Sequence, residues 1–336
     1  MPPEQPEAQA DIWVGNTFIH PVVDYLLVGG AISIPFVIWV LLDPSITPSA
    51  KIQTGAFVFL NYAHFASSTV RLYTKRGVAR AIPFISYGTP VLFLALVTVA
   101  VIWPDSFGFH WDAAYRTWSP YHYAAQAYGL ALMYSFKSGR PIVETERTML
   151  WWVCMLPFFW AFLAGEGSGL QWFVSAETLA SIPALALFHR GAVVTMALAA
   201  CTAPVWFFWR LRGRMPLISM VLVAINGVWW LGLGYDQAFF WATIFHSAQY
   251  LAIVIVYHVN DEVRRDENQR SWIAHAGQFY AISILLGVTL FLVIPFLYTM
   301  IGGFDLFTTM VMVTAGINMH HFLIDGYIWR SKRLKS

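Results

Sequence analysis

Charge is what this sequence has least of. Asp, Glu, Lys and Arg supply 11% of its 336 residues while 58% are hydrophobic; soluble domains carry about 25% charged residues. Too few charges remain to cover a water-exposed surface, which excludes a soluble globule. The formal net charge is only +2, and a duplex-binding protein needs a dense basic face, so a nucleic-acid partner is excluded as well. Cysteine is nearly absent. Cys154 and Cys201 both sit inside apolar runs, where a thiol acts as a small hydrophobe rather than as part of a disulfide framework. The start, MPPEQPEAQADIW, lacks a basic n-region and reads as a short solvated tail rather than a cleavable signal. No repeat of 20–50 residues and no long polar linker divides the chain. One membrane domain over 22–330 follows, between an N-terminal tail, 1–21, and a basic C-terminal tail, 331–336.

What the sequence has is long apolar runs, at about 22–43, 53–73, 83–103, 118–136, 147–165, 192–210, 216–234, 237–258, 276–300 and 304–328. A bilayer core about 30 Å thick takes roughly 20 helical residues to cross, and its interior offers no water to unpaired backbone groups. The spans must therefore be helical. The fold class is all-α, a polytopic transmembrane bundle of about ten spans. Basic clusters at Lys75, Arg76 and Arg80, at Lys137, Arg140 and Arg147, at Arg210, Arg212 and Arg214, at Arg264, Arg265 and Arg270, and at Arg330, Lys332, Arg333 and Lys335 mark one side as cytoplasmic. Both termini fall on that side, in an integral protein of the plasma membrane, or of the inner membrane in a bacterium. An eleventh stretch, 170–188, carries Ser175, Glu177, Ser181 and Pro183. Counted as a span it would put the 210–214 cluster outside, so a re-entrant or interfacial helix is the reading preferred here.

Polar residues deep in spans cost several kcal/mol unless paired, about 2.5–3.5 for a charge at a helix centre, and are functional candidates for that reason. Four segments carry them in a recurring pattern: Asn61 with His64, His122 with Gln126, His246 with Gln249, and Asn318 with His321 and Asp325. In each, a histidine shares a helical face with an amide or carboxylate three or four residues away. Such a partner can hold one imidazole nitrogen and leave the other free for a metal or a proton. At 1.5 Å per residue from the cytoplasmic anchors, the four histidines lie at depths of roughly 14–22 Å, close enough to meet once helices tilt. His64, His122, His246 and His321 are the predicted ligands, with Asn61, Gln126, Gln249, Asn318, His320 and Asp325 as supporting or alternative groups. His320 points about 100° away from His321. Arg71, two turns after His64, is a candidate to neutralise Asp325, to hold an anionic head group, or simply to reach the cytoplasmic interface. His20, His110, His189, His258 and His275 fall near span ends or in loops.

Imidazoles with at most one carboxylate suit iron, zinc or copper and disfavour Mg or Ca. The helices lack HxxxH, HxxHH and paired ExxH spacings, which points to a mononuclear rather than a di-iron centre. One histidine from each of several spans, including the stretch His246-Ser247-Ala248-Gln249-Tyr250, resembles the bacterial Brp/Blh membrane carotenoid-cleaving dioxygenases. The resemblance covers those short segments only. It implies a non-haem iron held by four histidines, in an enzyme acting on a hydrophobic small molecule, with membrane lipids around it. The segment from Asn318 through Asp325 and Gly326 to Ile328, Trp329 and Arg330 has no counterpart there. Two other classes fit the same residues. One is a haem-bearing electron-transfer subunit, with His64 and His246, or His122 and His321, as axial ligands. The other is a transporter or a structural subunit of a membrane complex.

Overall fold

The computed structural model describes residues 13–43, 48–265 and 270–328. The basic tail predicted for 331–336 and residues 1–12 of the predicted tail 1–21 lie outside the described residues. The described residues are helical without a strand. Their long helices are α1 (Pro21–Leu42), α2 (50–74), α3 (Phe84–Ile102), α4 (Phe109–Lys137), α5 (Glu144–Ala164), α6 (Pro183–Leu211), α7 (Leu217–Leu233), α8 (Tyr235–Val263), α9 (Trp272–Gly302) and α10 (Leu306–Ile328). Seven of them, α1, α3, α5, α6, α8, α9 and α10, are long and apolar enough to cross a membrane. The chain is thus an all-helical protein with the composition of a membrane bundle.

Two helices begin well before their predicted starts. α4 extends back to Phe109 through His110, Asp112 and Arg116, residues whose polarity hid the helix from a hydrophobicity reading. α6 begins at Pro183, the first helical position, where the fixed φ of proline suits the helix and its missing N–H costs nothing. That start divides the stretch 170–188. It forms a single 3-10 turn at Gly169–Trp172 and a six-residue helix at Ala176–Ser181, capped by the Ser175 hydroxyl, before α6 takes up its last residues.

The segment before α1 lies against one end of the bundle. Asp24 is fully buried and accepts hydrogen bonds from the backbone N–H groups of Phe18, Ile19 and His20 and from the Tyr134 hydroxyl at 2.6–2.9 Å. The Trp13 carbonyl accepts from Leu217 N, and the Arg140 guanidinium lies over the Trp13 ring. The same end gathers Arg71, Lys75 and Asp261, Arg214 against Glu146, and Arg140 against the Gly213 carbonyl. Most of the basic clusters therefore share one end of the molecule.

Inside the bundle, five helices close a ring. α2 packs on α8 and α10, α10 packs on α4, and α7 joins α4 to α8. From outside, α9 presses on α2 at Gly287, where an added Cβ would lie 2.5 Å from the Tyr62 carbonyl oxygen. Only a residue without a side chain permits that approach, a common device in membrane helix packing. The contacts climb in the same sense along α2, α4, α8 and α10: Tyr123 meets Thr243 and Gln126 meets Gln249, His64 meets His246 and Arg71 meets Asp261, and Trp111 meets Met312 while His122 meets Phe322. These four helices run parallel. α7 runs the other way, with Ser219 bonded to Ala131 and Trp230 stacked on Tyr123.

A buried histidine cluster as candidate metal centre

The ring of helices encloses four imidazoles. His64, His246 and His321 are essentially without exposure and His122 is 8% exposed. Ring centroids lie 4.9 Å apart for His64 and His246, 5.0 Å for His246 and His122, 5.2 Å for His122 and His321, and 4.4 Å for His321 and His64. Each histidine comes from a different helix of the parallel set, so the cluster forms only when those helices pack in register. Nitrogens of His64, His122 and His321 all lie within 4.8 Å of one another, a group that could hold a metal ion. His246 falls outside that tightest trio, although its ring touches two of the three.

Polar satisfaction is what sets this cluster apart. Both ring nitrogens of His64 and of His246, and Nε2 of His122 and of His321, are buried with no hydrogen-bond partner. An unmatched buried polar group costs about 1–3 kcal/mol, and such groups are rare in folded proteins. The two nitrogens of one ring point apart, so each histidine can turn a single nitrogen to a shared ligand, and those of His64, His122 and His321 lie closest together. His321 has a defined partner on one side. Ser68 Oγ lies 3.2 Å from the Phe65 carbonyl oxygen and 2.7 Å from His321 Nδ1. The hydroxyl can donate to Nδ1 or accept from Nδ1–H, so it orients the ring in either tautomer. Nε2 lies 3.3 Å from Asp325 Oδ2, while Asp325 Oδ1 accepts from the Tyr250 hydroxyl at 2.6 Å. Asp325 is thus either the outer support of a ligand histidine or a fifth ligand at the edge of the cluster.

Aromatic rings wall the cluster. Phe322 stacks on His122 with centroids 4.2 Å apart, Tyr123 lies 4.4 Å from His246, Tyr250 4.5 Å from His64, and Phe65 4.8 Å from His321. They fix the imidazole planes and keep water away from the centre.

The remaining candidates lie at varying distance from it. Asn61, in the wide π-type turn 57–62 just before His64, accepts from the Ser247 hydroxyl at 3.2 Å. Gln126 donates to the His246 carbonyl at 3.2 Å and to Gln249 Oε1 at 3.4 Å. Asn318 donates back to the Thr314 carbonyl of its own helix. His320 turns out of the cluster and meets Phe93 of α3 at 5.5 Å. Arg71 pairs with Asp261 Oδ2 at 3.1 Å, beside Lys75, so its strongest partner is at the helix ends and Asp325 takes its hydrogen bond from Tyr250 instead. Among the other histidines, His20 caps α1, His110 accepts from Trp172 and His189 bonds the Leu163 carbonyl. Each of the three has an ordinary structural partner.

Sequence reasoning passed over Ser68 as the partner of His321 and Tyr250 as the donor to Asp325. Both had a signal: Ser68 follows His64 by four residues and Tyr250 follows His246 by four, so each shares a face with a candidate ligand. The chain matches no protein-family model, no curated protein and no solved structure.

Proposed function

We propose that this protein is an integral membrane metalloenzyme in which His64, His122, His246 and His321 hold one non-haem iron, and that it oxidises a lipid-soluble substrate entering from the bilayer. The observation that carries this reading is a cluster of four buried histidines, each with at least one unpartnered ring nitrogen, of which His64, His122 and His321 bring nitrogens within 4.8 Å of one another. Spacing supports it. A metal about 2.0–2.1 Å from each nitrogen holds its imidazole centroids roughly 4.4–5.1 Å apart in square or tetrahedral arrangements, and the four rings lie 4.4–5.2 Å apart. A haem is poorly accommodated. Axial imidazoles need centroids roughly 6 Å apart with an open slot between them, whereas the pairs His64–His246 and His122–His321 stand at 4.9 and 5.2 Å.

When bound, iron would supply a redox-active Lewis acid with positions left for O2 and substrate. The chain's own contribution is positional. Ser68 orients the His321 ring at Nδ1, Tyr250 holds Asp325 beside Nε2, and Phe65, Tyr123 and Phe322 exclude water from the reacting groups. Burial in a lipid-facing bundle favours an apolar substrate. All ten long helices cross the membrane in this reading, with the end that carries Lys75, Lys137 and Arg214 in the cytoplasm.

The test is metal analysis with an optical spectrum of detergent-purified protein. The proposal requires about one iron per chain and no Soret band. A Soret band would convert the centre to haem, stoichiometric zinc or copper would remove iron, and a metal-free protein that takes up none would end the metalloenzyme reading.

A further inference from the structure

Next to the histidines lies a second set of unmatched groups, made of side-chain amides. Gln126 follows His122 by four residues and Gln249 follows His246 by three, which puts both about one turn further along α4 and α8 on the histidine side. Gln126 Nε2 is committed to Gln249 Oε1 and the His246 carbonyl, but Gln126 Oε1 and Gln249 Nε2 have no partner. The third amide comes from α7. Ser219 meets α4 at Ala131 and Trp230 meets it at Tyr123; Asn226 lies between them on the same face, which brings it level with Gln126. Asn226 is 1% exposed and neither its Oδ1 nor its Nδ2 is bonded. Two donors and two acceptors are thus buried and unmet at one level of the ring.

The break in α1 packs its bare backbone directly against them. α1 breaks at Gly29 and Gly30, and Gly30 has φ +75. A Cβ there would sit 3.0 Å from Gln249 Nε2 and 3.2 Å from the Ile225 and Trp229 side chains, so bare backbone borders the amide where another residue would fill the space. On its outer side α1 exposes Leu26, Ile32 and Ile34, an apolar surface of the kind that faces lipid. The groups bonded to these amides are neutral, with no guanidinium, ammonium or carboxylate among them.

We infer that Gln126, Asn226 and Gln249 form a recognition site for the neutral oxygen end, a hydroxyl or a carbonyl, of a long apolar molecule whose tail runs out past the break in α1. A hydroxyl both donates and accepts, which matches the mixed complement of open groups, while a charged end would find no counter-ion. As a binding site this stands by itself; as the substrate site of the histidine centre it rests on the function proposed above, and places the polar end about one helical turn, roughly 5 Å, from the imidazole layer.

The experiment measures saturable binding of tritiated oleyl alcohol to the full-length, detergent-purified protein, with octadec-9-ene as the matched hydrocarbon. The alcohol should bind at least tenfold more tightly. Gln249→Leu and Asn226→Leu should each weaken the alcohol about tenfold and leave the hydrocarbon unchanged, with the metal content of Asn226→Leu at the wild-type level. Equal affinity of wild-type protein for alcohol and hydrocarbon would overturn the inference and assign the amides to buried water, and this comparison does not depend on any variant folding. Alcohol preference retained in both variants would overturn it too. Alcohol preference in a metal-free protein would refute the metalloenzyme alone, and a loaded metal with no alcohol preference would refute this site alone.

Discussion

α6 and α8 are each 29 residues long and of nearly equal hydropathy, yet the most apolar window of α8 is 67% buried and that of α6 only 11%. α6 turns Leu187, Phe188, Val194, Leu198, Val205 and Trp209 outward; α8 turns His246, Ser247, Gln249 and Tyr250 inward. Total apolarity therefore says that a helix belongs in a membrane and nothing about where in the bundle it sits. In water the apolar face is the buried one. In lipid the polar face is, because tails solvate apolar side chains as well as a protein interior does. Chemistry accordingly belongs to the helices with interrupted hydrophobicity, and packing against lipid to the uninterrupted ones.

The largest effect expected from that contrast is on the inner helices. His64→Ala, His122→Ala and His321→Ala each remove a nitrogen that helices fixed by their own packing cannot replace, and metal per chain should fall steeply in all three, measured after purification without chelator. An intermediate effect belongs to the supporting groups. Asp325→Asn and Ser68→Ala leave the four histidines in place but loosen His321, and losses of about 10–100-fold in metal affinity are typical of such changes. Titration with a competing chelator reads this; unchanged affinity in both would detach Asp325 and Ser68 from the centre.

On the outer helix the effect should be structural only. His189→Ala in α6 removes the 2.8 Å contact with the Leu163 carbonyl, worth about 1 kcal/mol, and should lower thermal stability slightly without touching metal content. Metal loss in this variant would break the division between inner and outer helices. The smallest effect lies at the start of α10. Asp305 accepts from Thr308 N at 2.8 Å, and these bonds from Thr308 hold its carboxyl below the usual carboxylate value. A depressed folded-state value means that the stabilisation is present above the unfolded value of 3.8 and is lost as pH falls through the lower folded value. Faster amide exchange at Thr308 below about pH 4, absent in Asp305→Asn, would show it.

Much of this was legible in the sequence, for a physical reason. A bilayer imposes length and apolarity on a span, so the seven helices long and apolar enough to cross one announced themselves, and polar residues inside apolar runs announced the cluster. What stayed hidden depends on contacts between helices. Arg71 shares a face with His64, but Asp261 of α8 is the partner that the packing puts beside it. Asn226 is a single amide in an apolar helix without histidine, and nothing in α7 alone connects it with Gln126. The early starts of α4 and α6 were missed because Asp112, Arg116 and Pro183 lower hydropathy without breaking a helix.

The four histidines stand or fall together as one metal centre, and X-ray absorption at the metal edge of the purified, metal-containing protein decides between the two. The expected spectrum shows three or four imidazole nitrogens at about 2.0–2.2 Å, with an oxygen shell beside them and one imidazole fewer in His246→Ala. A first shell of oxygen or sulfur without imidazole, or a spectrum identical in wild type, His246→Ala and His321→Ala, would rule the shared centre out.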